Sequence, residues 1–190
     1  MQKIKIFLAS SNELKPERDQ FEIEIYRKTK TWFDKNIFLY LDIWEDMTAR
    51  MSVTGSQSEY DKFVKDADLF VFLAYSKVGM YTAEEFQNAI GQFNSTKKPF
   101  IYTYFKVPQP ENADPSLAAF EAKLKELKHF YASFTDFNDL WNQFNKELER
   151  LAADGFTENK RPDQEGSPKT ISQTADKIYN IDKIDTANFS

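Results

Sequence analysis

The stretch "DLFVFLAYS", from Asp68 to Ser76, constrains the fold more than any other part of the chain. An unbroken apolar run from Leu69 to Ala74 cannot turn one face to water. It fits a strand covered on both sides, as in the middle of a parallel sheet. "IKIFLAS" (Ile4 to Ser10), "IFLYLDIW" (Ile37 to Trp44) and "PFIYTYF" carry the same signature, and "HFYAS" fits a short fifth strand. Between these runs the apolar residues recur at helical spacing. Phe21, Ile25 and Trp32 follow Pro16; Tyr60, Phe63 and Val64 mark a short helix; Phe86, Ala89, Ile90 and Phe93 mark a longer one. Leu117, Phe120, Leu124 and Leu127 form another set, and Phe137, Leu140, Trp141, Phe144, Leu148 and Leu151 the last. Strand alternating with helix predicts an α/β fold: a doubly wound, five-stranded parallel sheet of the flavodoxin-like type. A full dinucleotide-binding Rossmann domain fits less well, because no G-x-G-x-x-G follows the first strand and the chain has only 5 Gly.

Composition narrows the function classes. The 190 residues suffice for one domain, expected over residues 1–156, with an appendage. From 157 to 190 the sequence is a polar linker ending in "KIYNIDKIDTANFS", which reads as a docking element or as the stub of a longer protein. Net charge is −5 with no basic stripe, so direct nucleic-acid binding is not expected. The absence of cysteine excludes disulfides, thiol catalysis and thiolate metal sites. "MQKIKIFLAS" reads as a strand rather than a signal peptide, and no segment is long enough to span a membrane; a cytoplasmic location is expected.

In open α/β sheets ligands gather beyond the carboxyl ends of the strands, where the strand order reverses. With order 2-1-3-4-5 that point lies between strands 1 and 3, at the loops "ASSNELKP" and "AYSKVGMYTAEE". Ser10, Ser11 and Asn12 offer hydroxyls and amides near a helix start, a nest for phosphate or ribose, or else Ser11 or Asn12 simply caps that helix. Trp44 can stack on a flat ring or act as a core lid, and Arg50 can meet a phosphate or stay solvated. Glu84 points away from the expected buried stripe and Glu85 lies at its flank. Thr82-Ala83-Glu84-Glu85 also matches a capping box, with Thr82 as N-cap. A carboxylate there is expected to be held ionised by the helix dipole, suited to holding ribose hydroxyls and stabilising positive charge on a sugar ring. His129, the only histidine, has no triad partner in sight and reads as structural.

"IKIFLASSNELKPERD", "LDIWED", "DLFVFLAYSKVGMYTAEEF" and "KPFIYTYF", in that order, resemble prokaryotic TIR (Toll/interleukin-1 receptor-like) domains over roughly residues 3 to 150. The likeness is to the type found in bacterial anti-phage effectors, including those fused to STING-like sensors. The resemblance implies an NAD hydrolase that cleaves the nicotinamide–ribose bond without a metal, NAD being substrate rather than cofactor. It places Glu85 as the catalytic acid four residues after the aromatic Tyr81, which stands where tryptophan is usual, and leaves Glu84 as the neighbouring candidate. Ser10, Ser11, Trp44, Arg50, Ser76 and Tyr81 are the substrate-binding residues this implies. Asp46 to Ser56 corresponds to the family's self-association loop, and a sensor domain or protein is the implied trigger. Two other readings stay open: a TIR-type scaffold without activity, and a deoxyribosyltransferase-like enzyme that also sets a carboxylate against a sugar.

Overall fold

A computed structural model describes residues 1–43 and 63–154, with the backbone alone at Met80 and Tyr81. Five parallel strands form one sheet in the order β2-β1-β3-β4-β5: β1 (Gln2–Ser10), β2 (Ile37–Ile43), β3 (Leu69–Ala74), β4 (Phe100–Lys106) and β5 (Ala132–Phe134). The all-apolar run is the middle strand, and every residue of it is buried. Helices α1 (Lys15–Trp32), α2 (Met80–Thr96), α3 (Pro115–Glu126) and α4 (Phe137–Ala153) connect or follow the strands, and residues 63–66 are also helical. This is the doubly wound, flavodoxin-like arrangement expected. No helix among the described residues is long and apolar enough to cross a membrane.

Alternation along each strand divides the core in two. Ile4, Ile6 and Leu8 of β1 point with Val71 and Leu73 into one layer, closed by Phe21 and Ile25 of α1 and Leu140, Phe144 and Leu148 of α4. Phe7 and Ala9 point the other way with Phe70 and Phe72, against Phe86 and Ala89 of α2 and Leu117, Phe120 and Leu124 of α3. Phe86 is the hub of this second layer. Its ring meets Phe72 edge-on at 5.5 Å, Phe120 at 4.9 Å and Phe70 at 6.4 Å between centroids. Contacts of this kind add to the area term, and they fix how α2 is rotated on the sheet.

Two helix starts differ from expectation. The apolar set of α3 starts at Leu117, yet the helix begins two residues earlier: Asp114 accepts a hydrogen bond from the Ser116 amide at 2.8 Å and Pro115 takes the first turn. Asp-Pro is a cap followed by a residue that needs no hydrogen-bond partner for its nitrogen, so the helix runs two residues further back than its apolar stripe. The start of α2 also moves back. Gly79 is its N-cap, and the Ala83 amide donates to the Gly79 carbonyl at 2.9 Å. The expected boundary at residue 156 and the tail 157–190 lie outside the described residues.

Phe86→Ala should therefore lower unfolding free energy by about 3–5 kcal/mol in denaturant titrations. Phe130→Ala, at a side chain 95% exposed, should change it by about 0.5 kcal/mol or less.

Candidate functional site

Moving the start of α2 to Met80 changes the status of Glu85. Thr82 is inside the first turn rather than capping it, and no side-chain cap bond is made at this helix start. The capping box expected from Thr82 and Glu85 does not form. Instead Thr82, Glu85, Phe86 and Ala89, at i, i+3, i+4 and i+7, make up the buried face of α2. Ile90 is only partly buried, packed against the core, and Phe93 is also only partly covered. Relative to the expected stripe, the inward face is rotated toward Glu85 by about 40° at 3.6 residues per turn. Glu84, one position before it, is exposed.

Glu85 is thus 8% exposed, and among the described residues its carboxylate accepts no hydrogen bond. Burial raises its pKa to about 7, and repulsion from the Glu84 carboxylate adds to the shift. The expectation of a permanently ionised side chain is therefore corrected. Glu85 lies in the second turn of α2, beyond the free amides of the first, where the field of the helix terminus has largely decayed. A largely buried carboxyl that titrates near neutrality, without a hydrogen-bond partner among the described residues, is an arrangement common where a group meets a ligand.

The loops at the β1/β3 switch point are tied to each other. Arg18 of α1 is fully buried, and its guanidinium donates to Ser10 Oγ at 2.7 Å, to the Ser11 carbonyl at 2.8 Å and to Asn12 Oδ1 at 3.4 Å. Ser10 and Ser11 are both buried. Ser11 sits at the N-cap of the short 3-10 turn Asn12–Leu14 but makes no cap bond; its hydroxyl donates to Glu13 Oε1 at 2.8 Å. Of the two readings of Ser11, the side-chain cap is not formed; its hydroxyl is engaged by Glu13. Ser76, in the loop after β3, donates its amide to Glu13 Oε1 at 3.0 Å and its hydroxyl to Glu13 Oε2. Burial works to raise the Glu13 pKa, but the bonds from Ser76, Ser11 and the Lys77 amide outweigh it and hold the carboxyl below its ordinary range. Beside this cluster, buried Glu17 pairs with Lys106 at 2.5 Å, and the ammonium lies 5.2 Å from the Tyr75 ring.

Of the expected site residues, the structure gathers Ser10, Ser11 and Ser76 into one bonded cluster and buries Glu85 on the helix that follows. Tyr81 is in the first turn of α2, described by its backbone alone. Trp44, Arg50 and the segment Asp46 to Ser56 lie outside the described residues. Sequence reasoning missed Glu13 and Arg18. Their only signals were a glutamate two residues after Ser11 and an arginine one turn into α1, neither distinguishable there from surface charge. His129 behaves as expected: Nε2 lies 3.0 Å from Thr103 Oγ1, the ring meets Phe86 edge-on, and burial lowers its pKa. A cavity of about 360 Å³ lies near it, between the end of α2 and the start of β4, and none of the expected site residues lines it. Compared with family models, with curated proteins and with solved structures, the chain matches none.

The sign of the Glu85 shift can be tested through stability. Its native pKa of about 7 lies above the ordinary 4.5, so the native state holds the proton more tightly and loses stability as pH rises between those values. Glu85→Gln removes this penalty. The stability of the variant relative to wild type should grow by about 2 kcal/mol between pH 5 and pH 8 in parallel denaturant titrations. A gap constant with pH would mean that the fold does not raise the Glu85 pKa.

Proposed function

We propose that the protein is an NAD glycohydrolase, with Glu85 as the residue that acts on the ribose. The observation that carries this reading is the burial, on the helix that follows the central strand, of a carboxyl group without a hydrogen-bond partner among the described residues. The resemblance of the chain's motifs to prokaryotic TIR domains also favours this reading. Uncompensated, the anionic form of Glu85 is unstable; a cationic ligand supplies what it lacks. The nicotinamide ring of NAD carries a positive charge next to two ribose hydroxyls that can donate to a carboxylate. Substrate binding then lowers the Glu85 pKa and releases a proton, converting the side chain to the form that catalysis needs.

In the reaction the bond between the ribose anomeric carbon and the pyridinium nitrogen breaks. The electron pair goes to the nitrogen, which becomes neutral, and positive charge spreads over the anomeric carbon and ring oxygen. Anionic Glu85 stabilises that charge and orients the hydroxyls. Water attacks the anomeric carbon and passes its proton through Glu85 to solvent, giving ADP-ribose and nicotinamide; capture by a nucleophile of the substrate itself would give a cyclic product. Because the pyridinium is already a good leaving group, the step needs no metal. Ser10, Ser11, Ser76, Tyr81, Trp44 and Arg50 are the residues assigned to substrate binding.

Uncontrolled NAD consumption is toxic, so activity is gated in this proposal. Copies assemble through the segment Asp46 to Ser56 when a sensor domain or protein signals, and depletion of NAD in the cytoplasm serves anti-phage defence.

Under crowding conditions that force assembly, Glu85→Gln should lower nicotinamide release from NAD by about a hundredfold or more, as for loss of one charge-stabilising group. Glu84→Gln, at an exposed position, should stay within about threefold of wild type. The wild-type rate should rise with pH through the Glu85 pKa in the complex and then level off. Full activity in Glu85→Gln would overturn the assignment, and release from nucleosides but not from NAD would favour the deoxyribosyltransferase-like alternative.

A further inference from the structure

Glu13 sits where a ligand anion would sit. Its two carboxylate oxygens collect the Ser11 hydroxyl, the Ser76 hydroxyl and the Ser76 amide, with the Lys77 amide adding a further favourable interaction. Successive backbone amides aided by hydroxyls form a concave anion-binding nest, here at the switch point of an open α/β sheet. We propose that this nest is a phosphate-binding site of the protein, and that Glu13 is an internal stand-in that must leave before a phosphate or pyrophosphate group enters.

The donors and the acceptor differ in how firmly they are held. The loop after β3 is braced from behind by the start of α3, independently of Glu13. The Asp114 amide donates to the Ser76 carbonyl at 2.7 Å, and the Val78 amide donates to Ser116 Oγ at 3.1 Å. On the other side, the Ser11 carbonyl accepts from buried Arg18 at 2.8 Å and from the Leu14 amide at 3.1 Å. The donors therefore keep their places when the acceptor is removed. Glu13 itself is an exposed residue of a single 3-10 turn, and its side chain reaches solvent by rotating about its own bonds. A preorganised set of donors filled by a removable carboxylate of the same chain is a competitive lock. Any anion that binds must first outcompete Glu13, so the apparent affinity falls by the fraction of molecules in which the nest is open.

The inference deepens the NAD reading, since the pyrophosphate of a dinucleotide is the natural occupant, but its test does not require turnover. Calorimetric titration with inorganic pyrophosphate, and separately with ADP-ribose, is carried out on the wild-type full chain, Glu13→Ala, Glu13→Gln and the double variant Glu13→Ala/Ser76→Ala. The lock predicts that both single Glu13 variants bind pyrophosphate and ADP-ribose about tenfold tighter than wild type or more. It also predicts that the double variant loses that gain. A purely structural Glu13 moves affinity the other way, because the nest loosens once its brace is gone; variants binding no tighter than wild type would overturn the proposal. If Glu13→Ala fails to fold, Glu13→Gln alone decides, since it keeps the size of the side chain and removes its charge. Tighter pyrophosphate binding without nicotinamide release by the assembled protein would leave the nest standing and remove the NAD reading. Nicotinamide release without tightening would do the reverse.

Discussion

Phe86 holds the second helix against the sheet, and the chemistry proposed for this protein depends on that one packing choice. The ring is enclosed by Phe70, Phe72 and Phe120, which leaves α2 little freedom to rotate about its axis. Residue 85 is one position away on the same helix, so wherever Phe86 points, Glu85 follows at a fixed angle of about 100°. Burying the phenyl group carries Glu85 to 8% exposure. The free energy gained by enclosing a large aromatic side chain is comparable to or larger than the penalty of drying a carboxyl that can take up a proton. The fold thus supports an unfavourable group at the position where a reactive one is useful.

A second constraint acts at the loop tips. Glu13, Ser11 and Ser76 join the connection after β1 to the connection after β3, and Arg18 anchors the first of these from inside the protein. Buried Glu17, also on α1, answers to Lys106 from β4. The carboxyl edge of the sheet is therefore fixed by charge-assisted hydrogen bonds reaching from one helix to two strands' ends. Two acids near this edge have opposite characters. Glu13 is surrounded by donors that hold its carboxyl below the ordinary range, whereas burial raises the Glu85 pKa to about 7. In the proposed function Glu13 keeps its negative charge and the charge of Glu85 responds to a ligand.

The fold was legible because it rests on local pattern. Runs such as Leu69 to Ala74 admit few arrangements, and their alternation with helical spacing leaves little choice of topology. Helix starts were less legible: Asp114 caps α3 three residues ahead of Leu117, its first apolar residue, and α2 starts without a side-chain cap. Gly79 offers no side-chain oxygen, and Thr82-Ala83-Glu84-Glu85 presents a complete but unused capping pattern three residues on. The position of Glu85 was readable from spacing, but its charge was not. Protonation depends on how much water the tertiary fold leaves around the group, and the rotation of α2 that decides this comes from rings on β3 and α3. Glu13 and Arg18 were invisible for a related reason: their partners belong to loops whose closeness follows only from strand order.

The central claim is that Glu85 is a buried carboxyl whose anionic form is completed by a cationic ligand. The direct test is a carbon-13 NMR titration of the Glu85 side-chain carboxyl, assigned by its loss in Glu85→Gln, without and with saturating NAD. The account predicts a midpoint near pH 7 in the free protein and a clear fall when NAD is present. A midpoint at the ordinary glutamate value in the free protein, unchanged by NAD, would contradict it.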